Sequence, residues 1–131
     1  MTTGPWCGPQ VQVTVGRHGH GGREAVIVRV AGEIDDETSG QVRAAYAEAF
    51  AAGRPTVVVD LTGVTLLASF GIADLLLARR SATSTGTELR LVVGENPRVL
   101  RPLHLTGVAD VLGLCRDLDE ALTGEPGSRA G

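Results

Sequence analysis

The sequence predicts an α/β domain: a mixed β-sheet that opens with an N-terminal hairpin, continues with parallel strands, and is packed with α-helices. Three observations carry this. "VQVTV" at 11–15 alternates with period two and is answered by the apolar "AVIVRV" at 25–30, a hairpin signal. "TVVVDL" at 56–61 is continuously apolar from Val57 up to Asp60, as a parallel strand covered on both faces would be. Between and after these runs, apolar residues recur at three- and four-residue spacing, the period of a helix. With 131 residues, 43% of them hydrophobic, the chain can build one compact core but hardly two. We expect a single domain over residues 10–123, with 1–9 a flexible leader and 124–131 a disordered tail.

The elements follow in order. Glycine-rich "GRHGHGG" at 16–22 reads as a long loop joining the hairpin strands. After "GEIDDETSG", Val42, Ala45, Tyr46, Ala49 and Phe50 define a helix that Ser39 or Thr38 can cap and that Gly53 with Pro55 ends. The central strand leads into a loop, "TGVTLLA", and a second helix spans about 70–82, closed by a turn through Thr85, Gly86 and Thr87. A strand at 89–93 follows. Asn96, with Pro97 at the first helical position, starts a short third helix. "VLGLC" supplies a last strand, and "DLDEAL" offers Asp117 as a cap with Glu120 three residues on.

Composition removes many functions. All twelve basic residues are arginine, so there is no phosphate-loop lysine, Schiff-base lysine or lysine general base. The formal charge is −3 and no basic face recurs, so nucleic acid and anionic membrane are not expected partners. No apolar stretch approaches the roughly 20 residues that span a bilayer, and "MTTGPWCGPQ" lacks the regions of a signal peptide. A cytoplasmic protein is expected. "WCGP" at 6–9 opens like a redox motif, but Gln10 stands where its second cysteine belongs. Cys115 lies in an apolar segment as a small hydrophobe. His18 and His20 lack a nearby acid or cysteine, and no dinucleotide glycine pattern surrounds them. No cofactor or metal is expected.

Ser69, in "TLLASFGIADLLLARR" at 65–80, stands between two apolar runs and admits three readings. It can cap the following helix. It can be the serine of a nucleophile elbow, although Leu67 replaces the first glycine and only His104 follows as a base. It can accept a phosphate beside the positive end of a helix, where a charge of roughly −1.5 to −2 would confront any docked partner. Of the other residues, Gly71 permits close packing and Gly107 a tight turn. Asp60 reads as a structural carboxylate that accepts loop amides. Arg79 and Arg80 read as a solvated helix face.

"VAGEID" at 30–35, "VVVDLTGV" at 57–64, "ASFGI" at 68–72 and "LHLTGV" at 103–108 stand in the order, followed by "DLDEAL", in which the chain resembles the STAS domain of bacterial anti-sigma factor antagonists. The resemblance covers residues 11–122. It implies a single STAS-like domain in which Ser69 is phosphorylated by a partner anti-sigma factor, itself a serine kinase of the GHKL ATPase type. The unphosphorylated chain would bind that kinase and release its sigma factor, and a metal-dependent serine phosphatase would reverse the mark. ATP and magnesium would belong to the partner, with no catalysis by this chain. Asp35, Ala68, Ser69, Phe70 and Gly71 would form the partner-facing rim, although Asp35 also suits a helix N-terminus. Ala68 departs from the family's acid before the serine. Phe70 replaces a small polar residue and is expected to pack inward. The alternatives are a STAS scaffold that is not phosphorylated and, more distantly, a small serine hydrolase. Nothing in the sequence sets an oligomeric state.

Overall fold

A computed structural model of the chain describes residues 11–20 and 23–123. The expected leader with its "WCGP" motif, the expected tail, and Gly21 and Gly22 lie outside the described residues. Among the described residues, five strands form one sheet in the order β1-β2-β3-β4-β5, and four helices pack on it. β1 (Val11–His20) runs antiparallel to β2 (Arg23–Ile34), with unbroken register from Val11 opposite Gly32 to His20 opposite Arg23. The long loop expected at 16–22 is therefore strand as far as His20. Pairing with β2 satisfies the backbone of the glycine-rich stretch, and this outweighs the low strand preference of glycine.

β3 (Thr56–Leu67) lies in the middle of the sheet, parallel to β2 and to β4 (Glu88–Val92). It also corrects an expectation, because residues 62–67 continue the strand instead of forming a loop. The pairing slips between Arg29 and Ala31, where Gly63 comes opposite Ala31. Such a bulge carries the chain past Thr62 and Gly63 without ending the ladder. Asn96 braces it: its amide donates to the carbonyls of Leu61, Thr62 and Val64, at 3.3, 3.3 and 2.8 Å.

On one face of the sheet lie α1 (Ser39–Ala51), α2 (Ser69–Thr85) and α3 (Pro97–Leu105), buried against Val26, Val28 and Val30 of β2 and Val57, Val59 and Leu61 of β3. The other face carries Ala25, Ile27, Val58 and Val92, covered by α4 (Leu118–Thr123). β5 (Leu114–Cys115) pairs with β4 at Leu91 and Val92. Local chemistry explains the ends. Gly53 and Gly86 adopt left-handed φ values of 70° and 74° after α1 and α2. Asn96 Oδ1 accepts from the Arg98 amide at 3.0 Å to cap α3. Asp117 Oδ1 accepts from the Glu120 amide at 2.8 Å to cap α4.

Candidate functional site

β2 and β3 leave the sheet side by side, since Ile34 pairs with Leu67 and the Ala68 amide donates to the Ile34 carbonyl at 2.9 Å. The turns that follow therefore share one edge of the molecule. One carries Asp35 and the other carries Ser69.

Ala68, extended at φ −85° and ψ 170°, occupies the cap position of α2, and its carbonyl accepts from Gly71 at 2.9 Å and Ile72 at 3.2 Å. Ser69 is thus the first helical residue and not the cap. Its hydroxyl is exposed and hydrogen-bonds to no other described residue. The amides of Ser69 and Phe70 likewise take no backbone partner, so the open positive end of a 17-residue helix lies at the serine. No histidine or carboxylate among the described residues holds the hydroxyl, so the nucleophile-elbow reading lacks its base there. His104 is exposed in the last turn of α3.

Gly71 holds this turn against the core. A Cβ at residue 71 would lie 2.7 Å from both Ile34 Cγ2 and Leu67 Cδ1, so only glycine lets α2 approach this closely. Phe70 corrects the expectation of inward packing, because it is 59% exposed. With Gly71 taking the inward position, Phe70 is turned outward. Leu66, Leu76 and Leu77 are also exposed, and Phe70, Ala73 and Leu77 fall on one side of α2 at helical spacing. The reading from sequence missed this apolar strip. Its signal was the run Leu75, Leu76, Leu77, since consecutive residues cannot all face one core.

Asp35 caps its own turn. Its Oδ1 accepts from the amides of Glu37 and Thr38, both at 3.0 Å, while the Thr38 hydroxyl accepts from the Asp35 amide at 2.9 Å and donates to the Glu33 carbonyl at 2.7 Å. Thr38 holds the cap position of α1, but its side chain serves the preceding turn instead of the helix. Behind this edge, buried Asp74 of α2 pairs with Arg43 of α1, the guanidinium Nε lying 3.3 Å from Oδ1. Burial and then the Asp74 charge raise the neighbouring Tyr46 phenol.

The remaining candidates have structural partners. Asp60 Oδ1 accepts from the Thr62 amide at 3.0 Å and its hydroxyl at 2.7 Å, and Arg29 Nε lies 3.6 Å from Oδ2. Cys115 is buried, which pushes its thiol up to about 11. Arg79 and Arg80 are exposed, and Gly107 turns the chain at φ 78°. Among the described residues no three histidine, cysteine or acidic side chains gather as a metal set, and no helix is long and apolar enough to cross a membrane.

Comparison with known proteins places these features in a group. The protein-family model for "Mlab, STAS domain" matches residues 20–115. The anti-sigma-F factor antagonist RsfB of Mycobacterium tuberculosis is 32% identical over 122 residues, 91% of this chain and 93% of that protein. The crystal structure of an anti-sigma factor antagonist from Mycobacterium paratuberculosis superposes with a TM-score of 0.72 at 32% identity, covering 86% of this chain and 92% of that one. The Bacillus cell fate determinant SpoIIAA in its phosphorylated form shares the fold, with a TM-score of 0.59 at 20% identity over 84% and 97% of the two chains.

Proposed function

The chain belongs to the STAS domain family, and from that premise we propose that it is an anti-sigma factor antagonist switched by phosphorylation of Ser69. The unphosphorylated edge built from Asp35, Ala68, Ser69, Phe70 and Gly71 docks on an anti-sigma factor serine kinase of the GHKL ATPase type, and the sigma factor is released. Phosphate on Ser69 ends the complex, and a serine phosphatase restores it. In this role the chain works in the cytoplasm, and the kinase supplies ATP and magnesium.

The observation that carries this reading is the state of Ser69: exposed, hydrogen-bonded through its hydroxyl to no other described residue, and at an open helix N-terminus beside an exposed aromatic ring. Phosphate is locally acceptable there, since the helix end favours it by about 0.3–1 kcal/mol. Within a docked interface the same charge loses its water, at a cost of several kcal/mol if unpaired. The interface term is larger, so binding weakens while the fold persists. Phe70 and Leu77 supply the apolar contact area that the unmodified form offers.

Incubation with the cognate kinase and ATP should add one phosphate at Ser69, located by intact mass and fragmentation. Ser69→Ala should still bind the kinase, and Ser69→Asp should bind at least tenfold more weakly, a difference of about 1.4 kcal/mol in a calorimetric titration. Ala68 and Phe70, where the family has an acid and a small polar residue, favour a second reading, a scaffold that is not phosphorylated. Equal binding by both variants, with no phosphate transferred by an active kinase, would establish the scaffold instead.

A further inference from the structure

We propose that the free edge of β1 is a homodimer interface. A second copy of this chain adds its own β1, antiparallel across a two-fold axis at Val13, and the two sheets become one. The proposal is independent of the phosphorylation reading.

β1 is an outer strand of the sheet, and among the described residues β2 is the only strand beside it. Its other edge therefore leaves a row of backbone N–H and C=O groups without a strand partner. Folds blunt such an edge with a bulge, a proline or a charge. From Val11 to Gly16 there is none of these: the register with β2 is unbroken, and the first charged residue is Arg17. What pairs with an edge of this kind must itself bring an open strand edge, and a second copy brings one of equal length.

The side chains select the second copy and its register. Val13 and Val15 are half-buried on the α1 side of the sheet, and Gln12 and Thr14 are exposed on the other. This alternation of valine with an uncharged polar residue over 11–15 reads the same in both directions. Pairing Val13 with Val13 sets Val11 against Val15 and Gln12 against Thr14, apolar to apolar and polar to polar. A slip of one residue would turn one copy's valines to the other's polar face, and a slip of two toward a longer pair would set Arg17 against Val11. The helices agree with this register. α1 packs on both β1 and β2, so with strands about 4.8 Å apart the two α1 helices lie about 10 Å apart, an ordinary packing distance. On the flank of α1 away from Arg43 and α2 stand Gln41, Ala44 and Glu48, all exposed. Small Ala44 permits the approach, and the antiparallel crossing sets Gln41 beside the second copy's Glu48, a donor beside an acceptor.

Sedimentation equilibrium of the full chain at physiological salt tests this. A reversible dimer with a Kd of about 10–100 μM is expected, weak because the strand pair is short. Gln12→Glu with Thr14→Glu sets like charges across the seam and should raise Kd at least about tenfold. Gln12→Lys with Thr14→Glu sets opposite charges there and should restore Kd to within about threefold of the parent. Both variants change only exposed side chains and place the new Glu opposite Arg29 of β2, and urea unfolding checks that each folds. In the parent, amide exchange of alternate residues from Val11 to Val15 should slow as concentration rises through the Kd. A parent that stays monomeric at about 1 mM, a dimer indifferent to the Glu pair, or one that the Lys and Glu pair leaves equally weak would overturn the proposal.

Discussion

Replacing Gly71 by alanine tests how the serine platform is seated. The new methyl would lie 2.7 Å from Ile34 Cγ2 and Leu67 Cδ1, where carbon atoms prefer about 3.5–4.0 Å. Both neighbours are buried, and the branched Ile34 side chain has few rotamers to retreat into. Overpacking of this kind costs about 1–3 kcal/mol, against a helix gain of up to about 1 kcal/mol from replacing glycine. Packing wins, with a net loss of about 1–2 kcal/mol and a fall in Tm of roughly 3–10 °C for a domain of this size. Gly40 of α1 is the internal control. Nothing lies within 4 Å of a Cβ there and its φ is ordinary, so Gly40→Ala should stabilise by about 0.4–1 kcal/mol. Urea unfolding of the two variants beside the parent measures both signs. If Gly71→Ala is as stable as Gly40→Ala, helix preference outweighs the clash and α2 is not seated through a bare backbone.

Three further outcomes are expected. Asn96→Ala removes three carbonyl contacts and a helix cap, and should cost about 2–4 kcal/mol in urea unfolding; a loss below about 0.5 kcal/mol would show that the β3 bulge needs no brace. Asp35→Ala should lose about 1–2 kcal/mol of stability while Asp35→Asn, which keeps an acceptor, should lose much less; a fall in kinase affinity with Asn would assign the charge itself to the docking rim. Cys115 and Tyr46 both hold their protons more tightly when folded, so the unfolded chain ionises first as pH rises. Their contribution is complete below pH 9 and declines from there toward about 11 for the thiol, with the phenol adding to the loss at higher pH. Stability measured from pH 7 to 10.5 checks the sign, and a Cys115→Ala variant with the same decline would remove the thiol from the account.

Legibility tracked how local the deciding physics was. Val57 to Val59 announced a strand covered on both faces, Asn96 and Pro97 a helix start, and Asp117 with Glu120 a cap, because each is settled within a few residues. The glycine and histidine stretch at 16–20 and residues 62–67 read as loops because their strand character comes from β2, which is remote in sequence. The same holds at the site. Ser69 was visible as a polar residue between apolar runs, but its exact place depends on where β3 ends, and one residue separates a capping hydroxyl from an idle one. Phe70 looked like core by composition, and only the close seat of Gly71 turns it outward. Arg90 read as an ordinary strand residue, since nothing nearby in sequence announces that α4 covers it.

The idle hydroxyl of Ser69 has a consequence for how information is stored. Many switches are springs: adding a group breaks an internal bond, and the energy released or absorbed drives a change of shape. Here the hydroxyl has no bond to another described residue to break, and α2 is fixed by the Ala68 carbonyl and the bare backbone of Gly71. On the reading proposed above, phosphate at Ser69 is therefore a label and not a lever. Writing or erasing it changes the fold's own energy only by the helix-end contribution of about 0.3–1 kcal/mol, so the ratio of the two forms follows chiefly the relative rates of the enzymes that write and erase.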